Sequence, residues 1–217
     1  MDIAVNVRKI KAEIEAINPE ASIVAATKTM SVAAINECMA TGLVDAAGEN
    51  RVQELTEKYT DAYRWDFIGN LQSNKVKYLV GKVRLIHSLD RISLAETIER
   101  EYEKRGLVCK ALIEINTGNE PNKGGIPLDD AERFIEELCR FSHIEICGLM
   151  AVAPLNADEN TLGKLFDAAY EKYFKLKTDV FRYLSMGMSN DYLLAVKSGA
   201  NIVRPGRAIF GARDYKK

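Results

Sequence analysis

Histidine is nearly missing from this chain: 217 residues hold two, His87 and His143. A histidine-based metal site or a catalytic triad therefore has little material, and no metal is expected. The four cysteines, Cys38, Cys109, Cys139 and Cys147, form no C-x-x-C pair. Three of them sit in apolar or helical patterns, so they are expected to be reduced core thiols of a cytoplasmic protein. Charge of one sign is missing too: 30 Lys and Arg face 31 Asp and Glu, a net charge of -1. That leaves no electrostatic case for nucleic acid or an anionic membrane as a partner. No apolar run approaches the roughly 20 residues that span a bilayer. Met1-Asp2-Ile3 opens a charged amphipathic segment, not a signal peptide. No G-x-G-x-x-G follows the first apolar run, which counts against a dinucleotide fold. With no linker or low-complexity segment, residues 1–217 are expected to form one domain.

What is present is a regular alternation. Ile3, Val7, Ile10, Ile14 and Ile17 make one helical stripe, ended by Asn18-Pro19. Short apolar runs follow at 22–27, 44–48, 65–69, 84–88, 109–116, 144–152, 181–186 and 201–204, and each reads as a strand. Helical patterns separate them. Ser31 is expected to cap the first, Ser73 another that Gly81 stops, and Ser93 with Glu96 to form a capping box. Pro127 starts a helix reaching Phe141, and 158–177 carries apolar Leu162, Leu165, Phe166, Ala169 and Phe174. Eight strands alternating with helices imply right-handed βαβ units and a parallel sheet, and eight is the number that closes a barrel. The expected fold is an α/β (β/α)8 TIM barrel with an extra N-terminal helix, compact beside the about 250 residues usual for the class. An open doubly wound sheet is the rival.

In a barrel, chemistry lies at the carboxyl ends of the strands. Those ends carry Lys28, Glu49-Asn50, Asn70, His87-Ser88, Asn116, Met150, Ser185 to Ser189 and Arg204 to Arg207. Lys28 ends the run Ile23-Val24-Ala25-Ala26-Thr27. If it points inward, burial disfavours its ammonium form and frees the neutral amine to attack an aldehyde. A lysine that merely opens a surface loop is the alternative. Ser189 precedes a helix expected to begin with Asn190 and Asp191, a start that suits an anion, and it can equally be a plain N-cap. Gly206 lets a backbone N–H approach a phosphate oxygen. The loops after strands 7 and 8 are the usual phosphate site of this fold, and strand 1 adjoins strand 8 around the ring. An amine beside an anion cradle fits a phosphorylated aldehyde, either pyridoxal phosphate or a phosphosugar.

Several stretches resemble the pyridoxal phosphate homeostasis protein family, which is related to the barrel domain of alanine racemase. They are Ala25-Ala26-Thr27-Lys28, Gly48-Glu49-Asn50-Arg51-Val52-Gln53-Glu54 and Phe67-Ile68-Gly69-Asn70-Leu71-Gln72-Ser73-Asn74-Lys75. Further on come Lys123-Gly124-Gly125, Gly148-Leu149-Met150, Leu184-Ser185-Met186-Gly187-Met188-Ser189-x-Asp191 and Val203-Arg204-x-Gly206-x-Ala208-Ile209-Phe210-Gly211. The resemblance implies an alanine racemase N-terminal-domain-like barrel holding pyridoxal 5′-phosphate as an imine on Lys28. It implies that Arg204 faces the pyridine nitrogen. Ser189, Gly206 and the backbone at Arg207 would bind the phosphate with Ser185 in support, and Asn50 and Asn70 would line the pocket. The chain departs from the family pattern at Pro205 and Arg207, where a small aliphatic and a hydroxyl residue are common. Arg207 then either replaces the lost hydroxyl with a charge-assisted bond or points to solvent.

The function implied is cofactor handling in vitamin B6 homeostasis without catalytic turnover, with pyridoxal phosphate masked and passed to apoenzymes that require it. A monomer is expected, its N-terminal helix packed on the barrel. A pyridoxal-phosphate-dependent amino-acid racemase is the alternative. It needs a second proton-transfer group opposite Lys28, and the chain runs only to Lys217, soon after the last strand. A phosphosugar lyase or isomerase would need a strand-end carboxylate, for which Glu49 is the candidate.

Overall fold

The structure, a computed structural model, describes residues 2–118, 124–154 and 157–211. The described strands are β1 (Ser22–Ala26), β2 (Ala46–Glu49), β3 (Trp65–Phe67), β4 (Leu85–Leu89), β5 (Cys109–Asn116), β6 (Ile126–Pro127), β7 (Ile144–Ala151), β8 (Tyr183–Ser185) and β9 (Ile202–Val203). The helices are α1 (Ile3–Glu15), α2 (Val32–Met39), α3 (Val52–Lys58), α4 (Ile92–Glu103), α5 (Ala131–Leu138), α6 (Glu159–Leu176), α7 (Tyr192–Lys197) and α8 (Arg207–Phe210). The sheet runs β4-β3-β2-β1-β9-β8-β7-β5, and β4 also pairs with β5, so eight parallel strands close into a barrel. β6 is a two-residue addition beside the end of β5.

Burial on both faces explains why the strands read as continuous apolar runs and not as alternating ones. All five residues of β4 and all four of β2 are buried. Inward side chains of Val24, Ala46, Leu85, Leu112, Cys147, Met150 and Ile202 fill the lower barrel as one apolar cluster. Outward ones join the larger core beneath the helices. Asp2 caps α1 through the Val5 N–H at 3.0 Å, and its Val7, Ile10 and Ile14 stripe packs on the barrel beside α2, α7 and α8. Ile17 lies past the helix end and is exposed.

Several local expectations are corrected. The segment after Gln72 is a 3-10 helix, Ser73–Tyr78, with Gln72 at the cap position. The Ser93–Glu96 box does not form. Arg91 is held by Asp90 and by the Leu71 carbonyl, so α4 starts before Ser93 can cap it. The stretch after Pro127 is a 3-10 turn leading into α5. On α6 Phe166 and Ala169 are buried as expected, but near its end the buried aromatic is Tyr173, whose hydroxyl donates to the Arg182 carbonyl at 2.7 Å, while Phe174 is 64% exposed. Cys38, Cys109 and Cys147 are buried as expected, but Cys139 is exposed. No helix among the described residues is long and apolar enough to cross a membrane.

Two glycines make opposite predictions. Gly148 (φ +151°) lies on β7 opposite Tyr183 of β8, and a Cβ there would sit 1.8 Å from the Tyr183 carbonyl oxygen. Gly163 lies within α6 with nothing within 4 Å of a Cβ. Gly148→Ala should lose about 3 kcal/mol through overpacking and strain. Gly163→Ala should gain up to about 1 kcal/mol of helix propensity. Urea unfolding of the two variants measures both changes.

Candidate functional site

Parallel strands place all their carboxyl ends on one rim, and the rim begins with Lys28. Lys28 is half-buried in a turn after β1, and its flanks are fixed by a cluster of charges from β2 and α3. Thr27 Oγ1 donates to Glu49 Oε1 at 2.8 Å. Lys58 Nζ donates to that same oxygen at 2.8 Å, to Glu54 Oε2 at 2.8 Å and to the Thr27 carbonyl at 3.2 Å. Thr29, at φ +66°, gives its N–H to Glu54 Oε2 at 2.7 Å. Burial raises the Glu54 carboxyl, but the Lys58 and Thr29 hydrogen bonds outweigh it and hold the group below its usual range. The left-handed backbone of a β-branched residue is unfavourable and persists only where surroundings impose it. Glu49, the one carboxylate the strand ends suggested for acid–base work, is committed to this clamp.

The exit of β1 meets the exit of β9. Ala26 N–H donates to the Pro205 carbonyl at 2.9 Å, and a Cβ at Gly206 would lie 3.3 Å from both the Cβ and the carbonyl oxygen of Ala26. The N–H groups of Gly206 (3.0 Å) and Ala208 (3.1 Å) converge on Ser189 Oγ. Ser189 therefore caps the turn into α8, whereas α7 begins only at Tyr192, later than Asn190. Arg207 is exposed, its Nη2 at 3.5 Å from Asn190 Oδ1, so the solvent-facing alternative holds for its side chain. Arg204 is 4% exposed. Its Nη1 donates to Ser185 Oγ at 2.7 Å and its Nη2 to the Ala151 carbonyl at 2.9 Å, both neutral oxygens. Burial pushes the guanidinium down to about 10, against the pull of Glu114 and Asp191, and it stays cationic at neutral pH.

Asn50 and Asn70 line a cleft of about 560 Å³ with Arg51, Gln53, Glu54 and Lys75. Asn50 Oδ1 is a buried oxygen with no partner among the described residues, whereas Asn70 is exposed. The backbone of Asn50 packs on Gly69, where a Cβ would lie 2.2 Å from the Asn50 carbonyl oxygen. Two groups escaped the strand-end reading. Glu114 lies inward on β5, two residues above Leu112, and its carboxyl is pushed up to about 7 by burial first and Asp90 second. A single acid between Ile113 and Ile115 was the available signal. Asp66, wholly buried on β3, is the other. Asn119, Pro121 and Lys123 lie outside the described residues.

The comparisons agree with this geometry. Residues 2–214 match the family model of the alanine racemase N-terminal domain. A pyridoxal phosphate homeostasis protein of Aquifex aeolicus is 39% identical over 90% of this chain and 88% of that protein. The structure of PipY of Synechococcus elongatus with pyridoxal phosphate bound superposes with a TM-score of 0.83 at 31% identity, covering 96% of this chain and all of that one. Alanine racemase of Clostridium difficile shares the fold alone: TM-score 0.73 at 14% identity, over 97% of this chain and 57% of that one. A closed parallel barrel that matches this family model from end to end of the described residues places the chain in the alanine racemase N-terminal-domain class. Within that class, the chain belongs to the pyridoxal phosphate homeostasis protein family.

Glu114 carries a pH prediction. Its folded-state value lies above the ordinary 4.5, so the folded protein holds the proton more tightly than the unfolded chain. Its contribution to stability is complete below pH 4.5 and is lost as pH rises through about 7. Glu114→Gln removes that loss. Between pH 6 and 8 the variant's melting temperature should fall less than that of the unmodified chain. Parallel pH dependences would contradict the assignment.

Proposed function

We propose that the rim holds pyridoxal 5′-phosphate as an imine on Lys28, and that the protein masks this cofactor and passes it to apoenzymes that require it. The observation that carries the reading is the Ala26 to Pro205 hydrogen bond of 2.9 Å, which sets the turn bearing Lys28 beside the turn bearing Gly206. When bound, the cofactor supplies an aldehyde and a phosphate on one small ring. The residues present fit such a group. Two backbone N–H donors already converge on one oxygen at Ser189; among the described residues a buried cation has only neutral oxygens as hydrogen-bond partners, and Asn50 Oδ1 has no partner. A buried charge or polar atom with too few partners is costly, so a ligand that complements it is favoured.

The division of roles follows. Lys28 forms the covalent link. Ser189, Gly206 and the Arg207 backbone hold the phosphate, with Ser185 supporting through Arg204, and Asn50 and Asn70 line the pocket. Arg204 faces the pyridine nitrogen. An arginine does not surrender its proton there, so the ring stays a poor electron sink, which suits storage more than turnover. The names carried by the relatives support homeostasis, whereas the racemase alternative has only fold likeness behind it. The reading takes 1–217 as one cytoplasmic, monomeric domain without nucleic-acid or membrane partners.

Colour and chemistry test it. The loaded protein should be yellow, and borohydride should bleach it and leave a pyridoxyl label on the tryptic peptide containing Lys28. Lys28→Ala should fold, retain some phosphate-anchored cofactor and lack the imine absorption. An imine band that persists in Lys28→Ala would assign the link to another lysine. Racemisation of single-enantiomer amino acids at ordinary enzyme rates would overturn the homeostasis reading in favour of the racemase.

A further inference from the structure

A file of polar side chains crosses the barrel interior from one rim to the other, and the roles above account only for its last two members. Arg84, at the amino-terminal end of β4, donates to Asp66 through Nε at 2.9 Å and through Nη2. Asp66 Oδ2 lies 3.1 Å from His87 Nε2, His87 Nδ1 lies 3.0 Å from Ser185 Oγ, and Ser185 Oγ accepts from Arg204 Nη1 at 2.7 Å. Asp66, His87 and Ser185 are fully buried. Every link is within hydrogen-bonding range, so the direction of each proton follows from what its neighbours require.

The carboxylate can only accept. Burial raises Asp66, but the bonds from Arg84 and His87 outweigh it and keep the group ionised, below the usual carboxylate range. His87 must therefore carry its proton on Nε2. Its Nδ1 is then an acceptor and takes the Ser185 hydroxyl proton. That leaves the Ser185 oxygen lone pairs free to accept from Arg204. The alternative, an imidazolium, would make Nδ1–H a second donor to the Ser185 oxygen, take away the acceptor of the Ser185 hydroxyl proton, and place a third cation between Arg84 and Arg204. Burial lowers the His87 pKa, and Arg204 and Arg84 add to that against the pull of Asp66, so the ring is neutral. The charged groups acting on His87 are Asp66 from β3, Arg84 from the start of β4 and Arg204 from the end of β9.

We propose that Asp66 and His87 are positioning residues for Arg204, acting through Ser185. The chain fixes which hydrogen-bonding role Ser185 can play, and so fixes the plane in which the guanidinium sits at the mouth of the barrel. Its remaining N–H groups are thereby aimed before any ligand arrives, a preorganisation that a flexible arginine side chain would otherwise lack. The inference rests on the rim being the cofactor site, but its first link can be read without cofactor.

In the cofactor-free protein, 15N NMR of His87 should show the neutral Nε2–H tautomer at pH 8, and the ring should still be mostly neutral at pH 6.5, where an ordinary histidine is half protonated. A neutral Nδ1–H ring, or protonation with the ordinary midpoint near 6.5, would overturn the chain whether or not pyridoxal phosphate binds. Loaded protein tests the second link. His87→Phe keeps a flat ring but removes both bonds, and Ser185→Ala cuts the same chain with little change of volume. Each should still take the borohydride label on Lys28. Each should bind pyridoxal phosphate about tenfold more weakly, the effect expected for losing one hydrogen bond to a charged group. The pH midpoint of the imine absorption should shift in both, and the double variant should be no weaker than the worse single one, because both break one path. Multiplying losses, or wild-type affinity and spectrum in Ser185→Ala, would overturn the proposal. Failure of the unmodified protein to take up the cofactor would instead sink the functional reading, with the tautomer still deciding the chain.

Discussion

Closure of the ring between β1 and β9 is the constraint on which the rest depends. Ser22 and Ile23 pair with Ile202 and Val203, and Ala26 continues the contact to Pro205 just beyond the strand. These strands are some 180 residues apart in the chain, and nothing local holds Lys28 near Gly206. An open sheet of the same strands would leave β4 and β5 unpaired and could not surround a single rim. The β4 to β5 pairing is thus as much a part of the site as any side chain that lines it.

Above the apolar cluster the barrel interior turns polar, and buried charges on the two faces of the strands are met by different partners. Glu49 is met by Lys58, and Asp66 by Arg84 and His87. Such pairs contribute little net stability because desolvation offsets their attraction, but removing one partner strands the other at a cost of about 3–5 kcal/mol. Their value here is geometric: one holds the backbone around Lys28 and the other stands behind Arg204. Burial leaves Arg204 and Glu114 displaced from their ordinary range, one pushed down and one pushed up. Both belong to the rim, where perturbed groups are expected to gather in a working site.

Much of this was legible in the sequence, for physical reasons. Parallel strands are buried on both faces and read as apolar runs, so all eight ring strands were anticipated, and Cys109–Asn116 was found at its own boundaries. Caps were less legible. Ser31 does cap α2, accepting from the Ala34 N–H at 3.2 Å, but Ser93 loses to the bonds that Arg91 makes across the fold. Ser189 was marked as the cap of the helix just after it or as an anion ligand, but the turn it caps lies seventeen residues on, at Gly206. Lys28, Ser185, Arg204 and Gly206 were singled out because chemistry in a barrel is confined to strand ends, and the structure gathers their segments on one rim. Asp66 and Glu114 sit within strands and were passed over, and the chain through His87 links four strands, a relation that no spacing along the sequence encodes.

A crystal structure of this chain grown with pyridoxal phosphate is the most direct test of the central claim. The account predicts continuous density from Lys28 Nζ into the cofactor, its phosphate against the backbone N–H groups of Gly206 and Arg207, and Arg204 at the ring nitrogen. A cofactor joined to a different lysine, or with its phosphate away from the β9 turn, would contradict it.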